Sequence, residues 1–261
     1  MPDSTRIADL SVLYSRPPHA HRRAVLFIHG YFATASVFAE WVPFFAARGM
    51  PAYAVNLRGR AGSGPEVNLG RTSITDYVAD AAAVARHLDK PIVIGHSMGG
   101  LIAQCLAERG LAQGLGMLAP APPKGIRFMT FKMVMRQLKY LPAIYGSGVV
   151  APTLADLKEI VLNHVPESQH EEVISTFIPD SGRVAKEMSI NGVPVDQRRV
   201  RVPALVVAAD DDQFIPLETC RQVAVLYHAS MHTVLGHGHM MPLEPGWQAI
   251  ADTVARWAVS L

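Results

Sequence analysis

Short apolar runs alternate with longer amphipathic stretches along most of the chain. Continuous apolar runs of this length, bounded by polar or turn-forming residues, are typical of strands buried on both faces of a sheet. They predict strands at 24–28, 52–57, 91–94, 115–118, 204–208 and 232–235. The stretches between them predict helices at about 36–48, 72–88, 98–108, 217–226 and 247–259, the second with an N-cap at Ser73 followed by Asp76. Strands that alternate with helices indicate a parallel sheet covered on both faces.

The alternation stops between about Pro120 and Arg201, where the chain looks helical, contains proline breaks and lacks a buried-strand run. We therefore predict an α/β fold with a mostly parallel, doubly wound sheet, whose core comprises residues 1–120 and 201–261. Residues 121–200 are predicted to form a helical insertion between two core strands. Such an insertion is expected at the carboxyl ends of the strands, where open α/β sheets bind their ligands.

Composition narrows the classes of protein. The 261 residues are 49% hydrophobic and 18% charged, which is typical of a globular domain, and the net charge of +2 gives no reason to expect a nucleic-acid partner. No apolar stretch reaches 18 residues, so stable membrane insertion is not expected, and the N-terminal residues lack the features of a signal peptide. We expect a cytoplasmic monomer or homodimer in which Cys105 and Cys220, both within predicted helices, are small buried side chains.

The segment with the clearest chemistry is Gly95-His96-Ser97-Met98-Gly99, which follows a predicted strand and precedes a predicted helix. This strand–turn–helix context is the one in which Gly-x-Ser-x-Gly forms a nucleophile elbow. The elbow presents the serine hydroxyl at a helix N-terminus, where amide N–H groups favour a developing negative charge. The alternative interpretation is a glycine-rich turn that carries no chemistry.

A serine nucleophile needs an imidazole base, and the imidazole needs a carboxylate to orient it. Candidates for both follow Ser97 in the order serine, acid, histidine. The acids Asp210, Asp211 and Asp212 come directly after the predicted strand 204–208. The histidines His237 and His239 follow the predicted strand 232–235.

Together these features resemble the α/β-hydrolase superfamily, in particular its lid-bearing bacterial serine esterases and lipases. The resemblance rests on His29-Gly30, on Gly-His-Ser-Met-Gly-Gly at 95–100, on an aspartate four residues before Pro216, and on Gly238-His239. It implies a catalytic triad of Ser97, Asp212 and His239. It also implies an oxyanion hole made of two backbone N–H groups, those of Met98 and Tyr31. Asp210 and Asp211 are then expected to be solvated at the loop end and to cap the next helix, and His237 to be a loop histidine bonded to the backbone.

One segment departs from the pattern of the superfamily. Relatives often carry Asp-x-Arg-Gly-His-Gly-x-Ser after the second of these strands, whereas this chain has Asn56 in place of the aspartate and Arg60 in place of the histidine. The two replacements put any auxiliary role of the segment in doubt. Since it matches no nucleotide-binding fingerprint, we interpret residues 56–63 as a structural turn.

The insertion contains cations interleaved with apolar residues, which on a single helix would form a basic face and a face rich in Met and Phe. The apolar face could cover an acyl pocket or simply pack on the core, and the basic face could meet an anionic substrate or lipid, or be solvated. The cations are Lys124, Arg127, Lys132, Arg136 and Lys139, and the apolar residues run from Phe128, Met129 and Phe131 to Tyr140. The residues expected to line the substrate pocket are Phe32, Met129, Met133, Phe214 and Met240.

The sequence therefore predicts a carboxylic-ester hydrolase that uses no metal or other cofactor and acts on a small to medium, largely apolar small-molecule ester. A lactonase, thioesterase, amidase or cofactor-free perhydrolase could use the same triad. A ligand-binding relative without activity is a more remote alternative, as is a metallohydrolase built from Asp210–Asp212, His237 and His239.

Overall fold

A computed structural model describes residues 1–60 and 62–261 of the chain, except for the side chains of Phe131, Lys132 and Gln137. Within this range, eight strands form the central sheet. They are β1 (Asp3–Ile7), β2 (Leu10–Ser15), β3 (Val25–Ile28), β4 (Ala52–Val55), β5 (Ile92–His96), β6 (Gly114–Leu118), β9 (Ala204–Ala209) and β10 (Ser230–Val234). Two further strands, β7 (Val149–Val150) and β8 (Asp180–Ser181), form a separate antiparallel pair.

The helices lie between the strands and within the insertion. Those of the core are α1 (Trp41–Ala46), α2 (Ile74–His87), α3 (Met98–Glu108), α9 (Leu217–Leu226) and α10 (Trp247–Val259). Those of the insertion are α4 (Phe131–Gln137), α5 (Leu141–Tyr145), α6 (Leu154–Asp156), α7 (His170–Ser175) and α8 (Gly182–Lys186). The predicted capping box is present at the start of α2, where Ser73 and Asp76 bond each other's backbone amides.

The sheet has the order β1-β2-β4-β3-β5-β6-β9-β10. All neighbours from β4 to β10 are parallel, which confirms the predicted, mostly parallel α/β sheet. The first two strands, which the sequence did not predict, form a hairpin that adds to β4 in antiparallel orientation. Because most residues of β1 are exposed, this edge strand lacks the apolar run that marks the central ones.

The insertion, residues 121–200, connects β6 to β9, which are neighbours in the sheet. The expectation that a single helix carries the cations from Lys124 to Lys139 is wrong. Helix α4 begins only at residue 131, where the Thr130 side chain caps it, and Gly125 has a positive φ of 107° that no helix contains. The side chains of Phe131 and Lys132 are not among those that the structure describes, so the roles predicted for them stay predictions. The short pair of β7 and β8 also differs from the expected all-helical insertion.

The central strands form the buried core of the fold. Strands β3, β4, β5, β6 and β9 are buried along their whole length. Cys105 and Cys220 are buried and unpaired, and burial raises the pKa of the Cys105 thiol to about 12. No helix within the described ranges is long and apolar enough to cross a bilayer.

Candidate active site

The turn between β5 and α3 holds Ser97 in a strained backbone conformation, with φ 54° and ψ −119°. Two glycines make this turn possible. A Cβ atom on Gly95 would lie 2.0 Å from the carbonyl oxygen of Gly99, and one on Gly99 would lie 2.0 Å from that of Ile28. Because neither position has room for a side chain, the Gly-x-Ser-x-Gly spacing is a steric requirement of the turn.

Three buried side chains from separate loops form a continuous hydrogen-bonded relay. His239 Nε2 lies 3.0 Å from Ser97 Oγ, and His239 Nδ1 lies 2.8 Å from Asp212 Oδ2. The other carboxylate oxygen of Asp212 accepts hydrogen bonds from the amides of Phe214 and Ile215, at 2.7 and 2.8 Å. The structure therefore brings together all three residues of the predicted triad, in the geometry that proton transfer from a serine hydroxyl requires.

The loop that carries His239 is held by its neighbours. His96 Nε2 donates a 2.8 Å hydrogen bond to the carbonyl oxygen of His239. Glu244, fully buried, accepts from the Gly238 amide at 2.8 Å and lies 3.0 Å from His237 Nδ1. Burial raises the pKa of the Glu244 carboxyl. His237 thus pairs with Glu244 and takes no part in the relay.

The two remaining acids of the loop have other partners. Asp210 accepts a hydrogen bond from the Gly236 amide, and Asp211 contacts His164 at 2.7 Å, which lowers the pKa of Asp211. Among the described residues, no group of three or more His, Cys, Asp or Glu side chains is placed to hold a metal ion. The metallohydrolase alternative therefore has no ligand set in this part of the chain.

The two expected oxyanion donors are the amides of the residues that directly follow Ser97 and Gly30. Met98 is the first residue of α3, where an amide has no acceptor within its own helix. Tyr31 follows Gly30, which packs so closely on Ser97 that a Cβ atom there would lie 3.1 Å from Ser97 Cβ. Over the described residues, the Tyr31 amide donates to no protein acceptor. Both amides therefore lack a protein acceptor among the described residues, which an oxyanion donor requires.

The segment that departs from the family pattern contacts the loop after β3. Asn56 Oδ1 accepts a 2.7 Å hydrogen bond from the Ala35 amide, and Arg60 Nε donates to the Ala33 carbonyl at 3.3 Å. Arg60 also forms a fully buried ion pair with Asp180 of the insertion. In the sequence, the replacements at Asn56 and Arg60 were the signal for these contacts. The interpretation of the segment as a structural turn did not predict the contacts. Asp180 itself carries no such signal.

A largely apolar cavity of about 130 Å³ opens above Ser97 and His239. It lies between the carboxyl ends of the strands and the insertion. Four of the five predicted pocket residues line it: Phe32, Met133, Phe214 and Met240. Met129 is not among the lining residues that the structure describes. Because residues 124–130 are not helical, the predicted helical register does not apply there, and Met129 packs half-buried against the core while Phe128 faces the cavity.

Two buried imidazoles beside the site make folding sensitive to acid. Burial, with the nearby charge of Arg60, lowers the pKa of His29 to about 3, and burial with the neighbouring His239 lowers that of His96 equally. In the unfolded chain their pKa is near 6.5. As pH falls from 6.5 towards 3, the unfolded state binds protons that the folded state excludes, so each histidine lowers the unfolding free energy by about 1.4 kcal/mol per pH unit.

We therefore expect urea unfolding to show a steep loss of stability below pH 6.5. His29→Gln removes one of the two buried imidazoles that take up a proton on unfolding, so it should reduce the slope by about 1.4 kcal/mol per pH unit. His87→Gln, at an exposed position on α2, is the matched control and should leave the slope unchanged. Equal slopes in the wild type and His29→Gln would contradict the assignment of a neutral buried imidazole at this position.

A parallel sheet with a strained serine at a strand–helix turn, joined to a histidine and an aspartate from later loops, defines a class of hydrolase folds. The model of the alpha/beta hydrolase family matches residues 25–253 of the chain. The protein belongs to this family, which confirms the resemblance noted in the sequence.

Known relatives are distant but cover most of the chain. A non-heme haloperoxidase of Rhodococcus erythropolis is 27% identical over an alignment of length 233 that covers 78% of this chain and 80% of the relative. A monoacylglycerol lipase of Mycolicibacterium smegmatis is 26% identical over an alignment of length 258 that covers 92% of this chain and 89% of the relative. Among solved structures, a thermophilic esterase from Thermogutta terrifontis has a TM-score of 0.75 at 16% identity, covering 99% of this chain and 98% of that one. At that identity the likeness concerns the fold.

Proposed function

We propose that the protein is a serine hydrolase that cleaves carboxylic esters with small to medium, largely apolar acyl groups. The observation that carries the proposal is the relay of Ser97, His239 and Asp212, which opens directly onto an apolar cavity. A cavity whose lining is largely apolar, with Ser97 and His239 at its base, suits an acyl chain whose carbonyl is its reactive end.

In the proposed mechanism, Ser97 Oγ attacks the ester carbonyl while His239 Nε2 takes the hydroxyl proton. The amides of Tyr31 and Met98 bind the oxyanion of the tetrahedral intermediate. His239 then gives the proton to the leaving alkoxide, which departs as the alcohol and leaves an acyl-enzyme. Water attacks this ester with His239 again as the base, releasing the carboxylic acid and restoring Ser97. Asp212 holds the imidazole in the required tautomer throughout.

We assign the insertion, residues 121–200, the role of a lid over the acyl site. Phe128, Met133 and Leu157 from this segment line the same cavity as Ser97, so the insertion forms the roof of the pocket. The core domain is then made of residues 1–120 and 201–261. The cytoplasmic location and the monomeric or homodimeric state stay predictions from the sequence.

The size of the cavity is tested with nitrophenyl acetate, butyrate, octanoate and palmitate. We expect kcat/KM to be highest for butyrate or octanoate and low for palmitate, because a cavity closed by the insertion limits the chain. Met133→Ala removes a side chain from the roof and so enlarges the cavity. It should raise the octanoate-to-butyrate ratio of kcat/KM by about tenfold, as expected for a change of this size in an apolar pocket. Met135→Ala, on the same helix but exposed, is the matched control and should leave the ratio unchanged.

Thioesters, lactones and amides of the same acyl groups should be measured beside the esters. Faster turnover of one of these would replace the carboxylic ester as the substrate while keeping the mechanism. Perhydrolysis is a second candidate activity, favoured by the similarity to the non-heme haloperoxidase of Rhodococcus erythropolis and to a non-heme chloroperoxidase of Burkholderia pyrrocinia. In it, hydrogen peroxide replaces water in attacking the acyl-enzyme, and the product is a peracid. Adding peroxide to the ester assay and measuring the peracid tests this directly.

A further inference from the structure

The loop that supplies the Tyr31 amide has an unfavourable backbone conformation at its next residue. Phe32 has a φ of 64°, in the left-handed region that side chains disfavour. We call residues 30–33 the oxyanion loop. A conformation of this kind persists only where surrounding contacts impose it. Here the conformation is held by a turn hydrogen bond within the loop, from the Ala33 amide to the Gly30 carbonyl at 3.3 Å, and by contacts from the insertion.

Residues 178–181, which we call the clasp, hold the oxyanion loop through three hydrogen bonds. The Phe32 amide donates to Asp180 Oδ2 at 3.0 Å, and the Ile178 amide donates to the Phe32 carbonyl at 2.8 Å. The Tyr31 hydroxyl donates to the Ser181 carbonyl at 2.8 Å. The amide and the carbonyl of Phe32 are therefore both fixed by the clasp, which restricts the rotation of the peptide group that joins it to Tyr31.

Asp180 is fully buried, and a buried carboxylate needs compensation. Arg60, also fully buried, pairs with its Oδ2, and the Tyr77 hydroxyl donates to its Oδ1 at 2.6 Å. Arg60 in turn donates to the Tyr77 oxygen at 2.6 Å. Burial alone disfavours the Arg60 cation, but the attraction of Asp180 and of the tyrosine oxygens outweighs it and raises the pKa of Arg60.

The same arginine reaches the oxyanion loop directly, through its hydrogen bond to the Ala33 carbonyl. Arg60 stands where relatives often have histidine. Its longer side chain and permanent charge supply the counter-ion that Asp180 requires. Arg60, which departs from the family pattern, and Asp180, in the insertion, thus form one buried ion pair.

We propose that Asp180 is a positioning residue for ester hydrolysis: by binding the Phe32 amide it sets the oxyanion loop so that the Tyr31 amide faces the intermediate, with Arg60 as its counter-ion. The inference rests on the function proposed above. It assigns to the insertion a part in stabilising the transition state, in addition to covering the substrate.

Two double variants separate the hydrogen bond from the charge. Arg60→Met/Asp180→Asn and Arg60→Met/Asp180→Leu both remove the ion pair without leaving a buried charge, but only the first retains an oxygen that the Phe32 amide can reach. Loss of a whole oxyanion donor costs about 10²–10³ in turnover. For a donor that is misplaced, we expect the leucine variant to lose about tenfold to a hundredfold in kcat at unchanged KM. The asparagine variant should recover most of that loss.

Two measurements distinguish positioning from a general loss of structure. Titration of Ser97 with a fluorophosphonate gives the fraction of folded sites, and kcat is expressed per labelled site. A trifluoromethyl ketone, whose adduct with Ser97 carries an oxyanion, should bind the leucine variant more weakly by the same factor as kcat/KM falls. Arg183→Met is the matched control, since this exposed arginine lies two residues beyond the clasp and does not contact the loop.

The outcomes are distinct. If the wild type hydrolyses esters through Ser97 and the leucine variant matches it in kcat and ketone affinity per site, the positioning role is overturned and the proposed function stands. If the wild type shows no ester hydrolysis that depends on Ser97, both fail. Should the leucine variant not fold, Tyr77→Phe removes the hydroxyl that holds both Asp180 and Arg60. It should lower kcat and ketone affinity together, by about threefold, the value of a partly lost hydrogen bond; unchanged values would overturn the proposal.

Discussion

Replacement of Ser97 by alanine is expected to lower kcat for nitrophenyl butyrate by about 10⁴–10⁶, the loss seen when a serine nucleophile is removed from an intact relay. The variant keeps the oxyanion amides and the apolar cavity, so KM should change little. Because alanine fits the strained backbone of the elbow no worse than serine does, the melting temperature should stay close to that of the wild type.

A matched control is available inside the same cavity. Ser189 also lines it, but its hydroxyl donates to the Ala185 carbonyl and lies outside the relay. Ser189→Ala should keep nearly full activity, and a fluorophosphonate should label it as fast as the wild type while leaving Ser97→Ala unlabelled. An alanine variant at 97 that retained more than about a hundredth of the rate would identify a different nucleophile, since background catalysis cannot reach that level.

Asp212→Asn should lower kcat by about 10⁴ at neutral pH. The carboxylate accepts the Nδ1 proton of His239 and so leaves the lone pair of Nε2 facing Ser97. An asparagine can turn its amide group towards His239 and stabilise the opposite tautomer, in which Nε2 carries the proton and cannot accept another. The loss should therefore appear in kcat, with KM close to that of the wild type.

The neighbouring acid provides the control for this variant. Asp211 has nearly the same place in the sequence, but its side chain is half exposed and bonds to His164. Asp211→Asn should stay within about threefold of the wild type, as expected for a surface change. If Asp211→Asn lost activity and Asp212→Asn did not, the acid of the triad would be assigned to the wrong residue.

The parts of this protein that the sequence predicts well have local causes. The elbow is predictable because the turn requires glycine at both 95 and 99, and this requirement lies within five residues of chain. The central strands are predictable because burial of both faces gives them continuous apolar runs. Asp212 and His239 required the resemblance to a family, since composition alone does not distinguish Asp212 from the two acids before it. The hairpin of β1 and β2 was missed because an edge strand with an exposed face has no apolar run.

Asp180 could not have been found in the same way. It is 148 residues from the amide it binds and 120 from its counter-ion, and no motif links these positions. The prediction of a single helix for the cations between 124 and 139 was wrong for a different reason. Gly125 and the cap at Thr130 interrupt a pattern that looks helical when only charge and hydrophobicity are counted. Local breakers outweigh periodicity over so short a span.

The way in which the insertion is attached bears on how new specificities could be built from this scaffold. Its part from Phe128 to Val161 contributes most of the insertion residues that line the cavity, and Ala185, Met188 and Ser189 contribute others. Residues 178–181 are hydrogen-bonded to the loop beside Ser97. Exchanging the whole insertion with that of another hydrolase would therefore remove the support of the loop along with the roof. Because Val149 and Val150 of β7 pair with Ser181 and Asp180 of the clasp, a chimera that preserves this support has to retain β7 as well as residues 178–181. The insertion thus both lines the cavity and supports the loop beside Ser97, and the β7–β8 pair couples these two roles, which limits how freely its sequence can be exchanged.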